Sequence, residues 1–177
     1  MSMKLIRRIA LTAVVVFSAF GAMTYTSCNK DECKDVVCSN GGTCNTADGS
    51  CSCATGYEGT TCGTKVNAKF VGVWAAKENC NGGADVNYQI TITADATDPT
   101  KVLVSNLGNY GCNVGGTVSF DGTVNSATLT INDNTCNYQM NATGTSNADG
   151  TISFTYTATY EVLGVGQTDN CTATLTK

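Results

Sequence analysis

"TISFTYTATYEV", residues 151–162, places Ile152, Phe154, Tyr156, Ala158 and Tyr160 at every second position, with Thr or Ser filling most of the gaps. A period of two sends alternate side chains to opposite faces, and β-branched filler suits a pleated, half-buried surface. This stretch is therefore a strand, and its neighbours repeat the pattern. "YQITIT" sets Tyr88, Ile90 and Ile92 on one face, and "ATLTIN" does the same with Leu129 and Ile131. No helical period appears between residues 68 and 177. Eight strands are predicted, at 69–76, 87–94, 101–107, 115–120, 126–132, 137–144, 150–161 and 169–176. Asp98-Pro99, Asp121-Gly122 and Asp149-Gly150 are read as turns between them. Eight antiparallel strands in about 110 residues predict a small barrel or sandwich, and a barrel leaves no open sheet edge.

Four cysteines test that topology. Cys80 follows the first strand, Cys112 precedes the fourth, Cys136 follows the fifth and Cys171 begins the eighth. An up-and-down order puts all four at one end. Closure brings the first strand beside the eighth, which favours Cys80–Cys171 and Cys112–Cys136. The set Cys80–Cys112 with Cys136–Cys171 also joins adjacent loops and stays open.

"FVGVW", residues 70–74, resembles the Gly-x-Trp of the first strand in lipocalin-like (calycin) barrels. That family packs a late Arg on its Trp, whereas the arginines of this chain are Arg7 and Arg8 alone. Trp74 accordingly reads first as core filling. The resemblance implies a carrier of a small apolar ligand only if Tyr88, Phe154 and Tyr156 line a cavity; a filled interior leaves no room for one.

Upstream the composition changes. Residues 33–62 hold six cysteines, at 33, 38, 44, 51, 53 and 62. Thirty residues bury too little apolar surface to fold unaided, so covalent links must substitute for a core. Zinc is disfavoured: the chain has no His and no paired C-x-x-C knuckles. Spacing alone leaves 15 connectivities open. The ending "CSCATGYEGTTC" (51–62) fits C-x-C-x5-G-x2-C and resembles an EGF-like domain over the whole 33–62 stretch. That resemblance implies the pairs Cys33–Cys44, Cys38–Cys51 and Cys53–Cys62, with a hairpin turning at Asp48-Gly49. Some EGF-like domains bind calcium, and Asn29, Asp31 and Glu32 resemble the first half of that ligand pattern. "NTADGS" between the third and fourth cysteines lacks the aromatic of the second half, so no metal is assigned. "GTKVN" (63–67) is read as the linker to the β-domain.

The first 27 residues have the form of an export signal. Lys4, Arg7 and Arg8 precede Ile9 to Met23, a 15-residue stretch without Asp, Glu, Lys or Arg. A membrane span needs ~20 apolar residues, and one beginning near Leu5 would bury two arginines. "TYTSC", ending at Cys28, resembles the lipobox of bacterial lipoproteins, which implies cleavage before Cys28 and acylation of it. Tyr25 stands where that motif usually has Leu; the competing reading is a plain secretory signal with a free or intermolecular Cys28. "CNKDE" (28–32) resembles the acidic export signal of lipoproteins displayed on the outer surface of didermic bacteria. Parity agrees: of 11 cysteines, one lipidated leaves ten for five disulfides.

Beyond the signal, seven lysines face 14 acidic residues, a net charge of −7, and no Arg remains. Nucleic-acid binding has no electrostatic support. No nucleophile–base pair or phosphate loop is visible, so no enzyme and no cofactor is expected. The sequence reading is a lipid-anchored, surface-exposed binding or adhesion protein of the bacterial outer membrane. Its partners are the membrane, through the anchor, and an unidentified protein or glycan. "LGNYGCNVGG" (107–116) is the candidate binding loop, with Tyr110 free to stack on a ligand, unless it is simply a braced strap. "NAT" at Asn141 and "NCT" at Asn170 match a glycosylation pattern that a bacterial lipoprotein would leave bare.

Overall fold

The computed structural model describes residues 31–112 and 115–177. The signal segment, Cys28 and Asn29 lie outside the described residues. The molecule is mainly β: a small disulfide-rich region, then a closed antiparallel barrel.

In the first region β1 (Thr43–Cys44) pairs with β2 (Cys51–Ser52), and β3 (Tyr57–Glu58) with β4 (Thr64–Lys65). The β1–β2 hairpin turns through Gly49, whose φ of 73° is open to glycine without strain. The Asp48 carboxylate accepts from the Ser50 N–H at 3.0 Å and its hydroxyl at 2.7 Å, which fixes the same turn. Disulfides join Cys33–Cys44, Cys38–Cys51 and Cys53–Cys62.

The barrel is formed by β5 (Gly72–Cys80), β6 (Val86–Ala94), β7 (Lys101–Ser105), β8 (Ser119–Asn125), β9 (Thr128–Thr135), β10 (Tyr138–Ser146), β11 (Ile152–Val162) and β12 (Val165–Thr176). Each strand pairs with its sequence neighbour, and β12 returns to β5. The alternation read from the sequence sets the faces. Ile152, Phe154, Tyr156 and Ala158 of β11 are buried, as are Ile90 and Ile92 of β6 and Leu129 and Ile131 of β9.

Side chains pack closely at several points inside the barrel. A Cβ added at Gly144 would lie 2.7 Å from the Phe154 ring, and one at Gly122 would lie 2.6 Å from Leu129. Gly122 corrects the sequence reading: Asp121-Gly122 is not a turn but the middle of β8, where Leu129 and Val102 occupy the space of a side chain. The chain reverses at Ser126 instead, whose φ is 53°. The strands predicted at 115–120 and 126–132 are therefore β8 and β9, moved towards the C-terminus.

Residues 63–67, the linker, are structured. Thr64 and Lys65 belong to β4, and Val66 and Asn67 are buried in a 3-10 turn, Val66–Lys69, that replaces the predicted start of the first strand. The Asn67 side chain donates to the Lys101 carbonyl at 3.0 Å, and the Val66 N–H to the Gly56 carbonyl at 3.0 Å. Lys69 pairs with Glu58 at 2.8 Å. Gly56 is packed so closely on Pro99 that a Cβ there would lie 2.4 Å from its ring. These contacts seat the disulfide-rich region against the base of the barrel.

At the same base, Trp74 donates to the Phe70 carbonyl at 2.7 Å, and the Lys177 ammonium sits 4.4 Å from the Trp74 ring centre. A lysine thus covers the tryptophan without any arginine.

Candidate functional site

The opposite end of the barrel gathers most of the unusual chemistry. Odd-numbered strands of the up-and-down order finish there and even-numbered ones begin there, so Cys80, Cys112, Cys136 and Cys171 share one end. Cys80 and Cys171 are register partners on β5 and β12 and are joined, closing the barrel seam covalently. Cys171 is not the start of the eighth strand, because β11 and β12 continue past the mouth to a two-residue turn at Leu163-Gly164. Both turn residues have positive φ, as a type I′ hairpin requires. The tip is apolar and open: Leu163 is fully exposed, flanked by half-exposed Val162 and Val165.

Cys112–Cys136 ties the segment after β7 to the β9–β10 turn. The resulting strap crosses the mouth, with Leu107 fully buried beneath it. Tyr110 stacks on Tyr138 with ring centres 4.6 Å apart and donates to Asp169 at 3.0 Å. Tyr160 donates to the same carboxylate oxygen at 3.0 Å and packs 5.1 Å from Tyr138. Tyr110 therefore contributes its hydroxyl and a stacked ring to the bracing of the strap among the described residues.

Below the strap, Glu78 points into the barrel with 5% of its surface exposed. It follows Trp74 and Ala76 on the inward parity of β5, so period two alone could have exposed it as a buried acid. Two phenols hold it: Tyr156 donates at 2.6 Å, and Tyr88 donates to the same oxygen. Tyr88 in turn accepts from the Gly108 N–H at 2.9 Å, linking the strap to the buried carboxylate. Burial, followed by the bond to Glu78, pushes the Tyr88 and Tyr156 phenols far above their ordinary value. Burial and the bond to Asp169 do the same for Tyr110 and, in direction, for Tyr160.

Glu78, Cys80 and Cys171 also lie close enough to suggest a metal site. Both sulfurs are committed to a disulfide, however, and leave a single carboxylate, which is not a ligand set. Asp31 accepts from the Cys33 N–H at 3.1 Å, an arrangement that closes a local turn. Tyr88, Phe154 and Tyr156, the cavity-lining candidates, are placed inward, but Phe154 covers Gly144 and the two tyrosines serve Glu78. Asn141 and Asn170 stand exposed on β10 and β12.

Outside this closed mouth lies an open groove of about 810 Å³, bordered by the β9–β10 turn and the β11–β12 hairpin. Gln139, Thr159, Tyr160, Glu161 and Gln167 line it. A second cleft, of about 620 Å³, lies between the disulfide-rich region and the barrel base.

The disulfide-rich region and the barrel together define a two-part, mainly β architecture. Residues 28–62 match the EGF-like domain family. No curated protein and no solved structure matches the chain.

Proposed function

We propose that this chain is a lipid-anchored, surface-exposed protein of the bacterial outer membrane that acts as a binding or adhesion module, without catalysis. The observation that carries the proposal is the cysteine pairing. All ten described cysteines are joined to one another in five disulfides. Cys28, behind its small residues and ahead of "NKDE", is the one thiol with no partner in this scheme, and acylation would consume it. Acyl chains contribute ~0.8 kcal/mol per buried methylene, so two or more hold such a chain on a bilayer. The anchor would then adjoin the EGF-like region at the barrel base, leaving the mouth, hairpin and groove on the side away from it. An EGF-like region is an extracellular and binding module, which agrees with this placement. The partner is a protein or a glycan. The close packing at Gly144 and Gly122 supports an outer surface over the carrier alternative, a pocket for a small apolar molecule.

Intact-mass measurement on protein purified from its host membrane tests the anchor. The expected mass corresponds to cleavage before Cys28, acyl groups on it and ten hydrogens lost to disulfides. A Cys28 found in a disulfide would overturn the scheme. Protease added to whole cells should remove the chain; protection until the outer membrane is opened would contradict surface exposure.

A further inference from the structure

We infer that the outer wall formed by β9–β12 is a binding surface for an uncharged, hydroxyl-rich polysaccharide, entered at the groove beside Tyr160. This rests on the binding reading above and gives it a ligand class. The strand registers align outward-facing residues into rows. Thr130, Thr143, Thr155 and Thr172 form one row across the four strands. Asn132, Asn141, Thr157 and Asn170 form the next, nearer the mouth. Asn134, Gln139, Thr159 and Thr168 form a third, and all four of these line the groove.

These twelve neighbouring positions hold no charge and no apolar side chain. Thr157 donates to Asn170 at 3.1 Å. The other ten side chains make no hydrogen bond with the described residues, so their donors and acceptors face outward. Rows lie ~6.8 Å apart along a strand and columns ~4.8 Å apart between strands, which offers hydroxyls and amides at the spacing of sugar rings and their substituents. An anionic polymer would find no counter-charge in these rows; a neutral one loses nothing by that.

Tyr160 supplies the second element. Sugar rings have apolar C–H faces that pack on aromatic rings, and binding is stronger when the ring is fixed beforehand. The hydroxyl bond to Asp169 and the packing on Tyr138 hold Tyr160 at the groove edge. Among the described residues, Glu161 is the one charged residue in the groove lining.

The test uses the full mature chain in affinity electrophoresis through gels carrying neutral polysaccharides (dextran, mannan, starch, xylan) or anionic ones (alginate, hyaluronan). Retardation by at least one neutral polymer and by no anionic one is expected. Asn141→Asp with Thr143→Asp, both exposed and outward, should weaken that retardation at least tenfold while leaving the circular dichroism and melting curve unchanged. Tyr160→Ala should weaken it similarly, and a charge pair on the opposite wall, Thr91→Asp with Thr93→Asp, should not. Failure of every neutral polymer, or equal retardation of wild type and the Asn141/Thr143 pair, overturns the inference. A chain that adheres to whole cells while its wall variants adhere equally well also overturns it, yet leaves the broader binding reading standing.

Discussion

Gly144→Ala asks directly whether the barrel is a packed core or a ligand pocket. The added methyl would lie 2.7 Å from Cζ and 2.8 Å from Cε1 of Phe154. Carbon atoms rest at ~3.5–4.0 Å, so the ring must retreat by about 1 Å. Phe154 is 1% exposed, and Met140 and Leu175 around the same core are 0% exposed, so a retreat must displace other side chains. Overpacking of this kind costs ~1–3 kcal/mol, offset by ~0.4–1 kcal/mol because Ala restricts the unfolded chain. The net expectation is a loss of about 1–2 kcal/mol. Phe154→Leu removes the clash partner, so the double variant should be at least ~1 kcal/mol more stable than the sum of the two single changes implies. Urea unfolding followed by the fluorescence of Trp74, the single tryptophan, reads both numbers, provided the slope m stays constant. A Gly144→Ala protein within ~0.5 kcal/mol of wild type, with no coupling to position 154, would mean the interior has slack. The packed-core reasoning would then be wrong, and the carrier alternative would regain its footing.

Three further outcomes are expected. Cys80→Ala with Cys171→Ala opens a link across 91 residues, and should lower stability by about 4–5 kcal/mol against ~3 kcal/mol for Cys112→Ala with Cys136→Ala, which spans 24; urea midpoints in the reverse order would refute the chain-entropy account. Stability should fall above pH ~10, because the unfolded Tyr156 phenol ionises there while burial and Glu78 keep the folded one protonated; its contribution is complete below that pH and declines by about 1.4 kcal/mol per pH unit above it, so Tyr156→Phe should show a shallower alkaline decline in urea midpoint than wild type. Trypsin should leave Lys65 and Lys69 intact in the native chain, since Val66 and Asn67 are buried between them; rapid release of the EGF-like region on a non-reducing gel would show that the linker is accessible and refute this packing.

The parts of this fold visible in the sequence were those set by a two-residue period or by covalent arithmetic. Alternation in 151–162 gives the inward face of β11, and closure of an up-and-down order suffices to bring Cys80 beside Cys171. The turns at Asp98-Pro99 and Asp149-Gly150 stand between strands as read, and the punctuation that failed was Asp121-Gly122. Glycine has two opposite uses, and Gly122 looked like a turn residue because its Asp neighbour suggested one. Its real role depends on Leu129 and Val102, which come from strands on either side and are invisible in a short window. The structure of the 63–67 linker was hidden for a related reason: its burial depends on Gly56, Pro99 and Lys101, which only the tertiary fold brings to it. Glu78 was legible and overlooked, since its inward parity follows directly from Trp74 and Ala76.

The distribution of covalent links suggests why the two ends of the barrel differ in chemistry. At the base, closure comes from packing: Val66 and Phe70 fill the opening, and Lys177 covers Trp74. At the mouth Glu78 is buried against Tyr88 and Tyr156, with Tyr110, Tyr138 and Tyr160 clustered above it, and a buried carboxylate is a poor source of cohesion. Two phenols from β6 and β11 satisfy it, and the strap joins this network through the Gly108 N–H donated to Tyr88. Both barrel disulfides lie at this end, one along the seam and one on the strap, where a polar interior would otherwise open to water most readily. A closed mouth of this construction holds the β9–β10 and β11–β12 turns in fixed relation. The groove between them, and the uncharged rows below it, are then presented on a rigid wall, as a surface needs to be if weak contacts to a repeating polymer are to add.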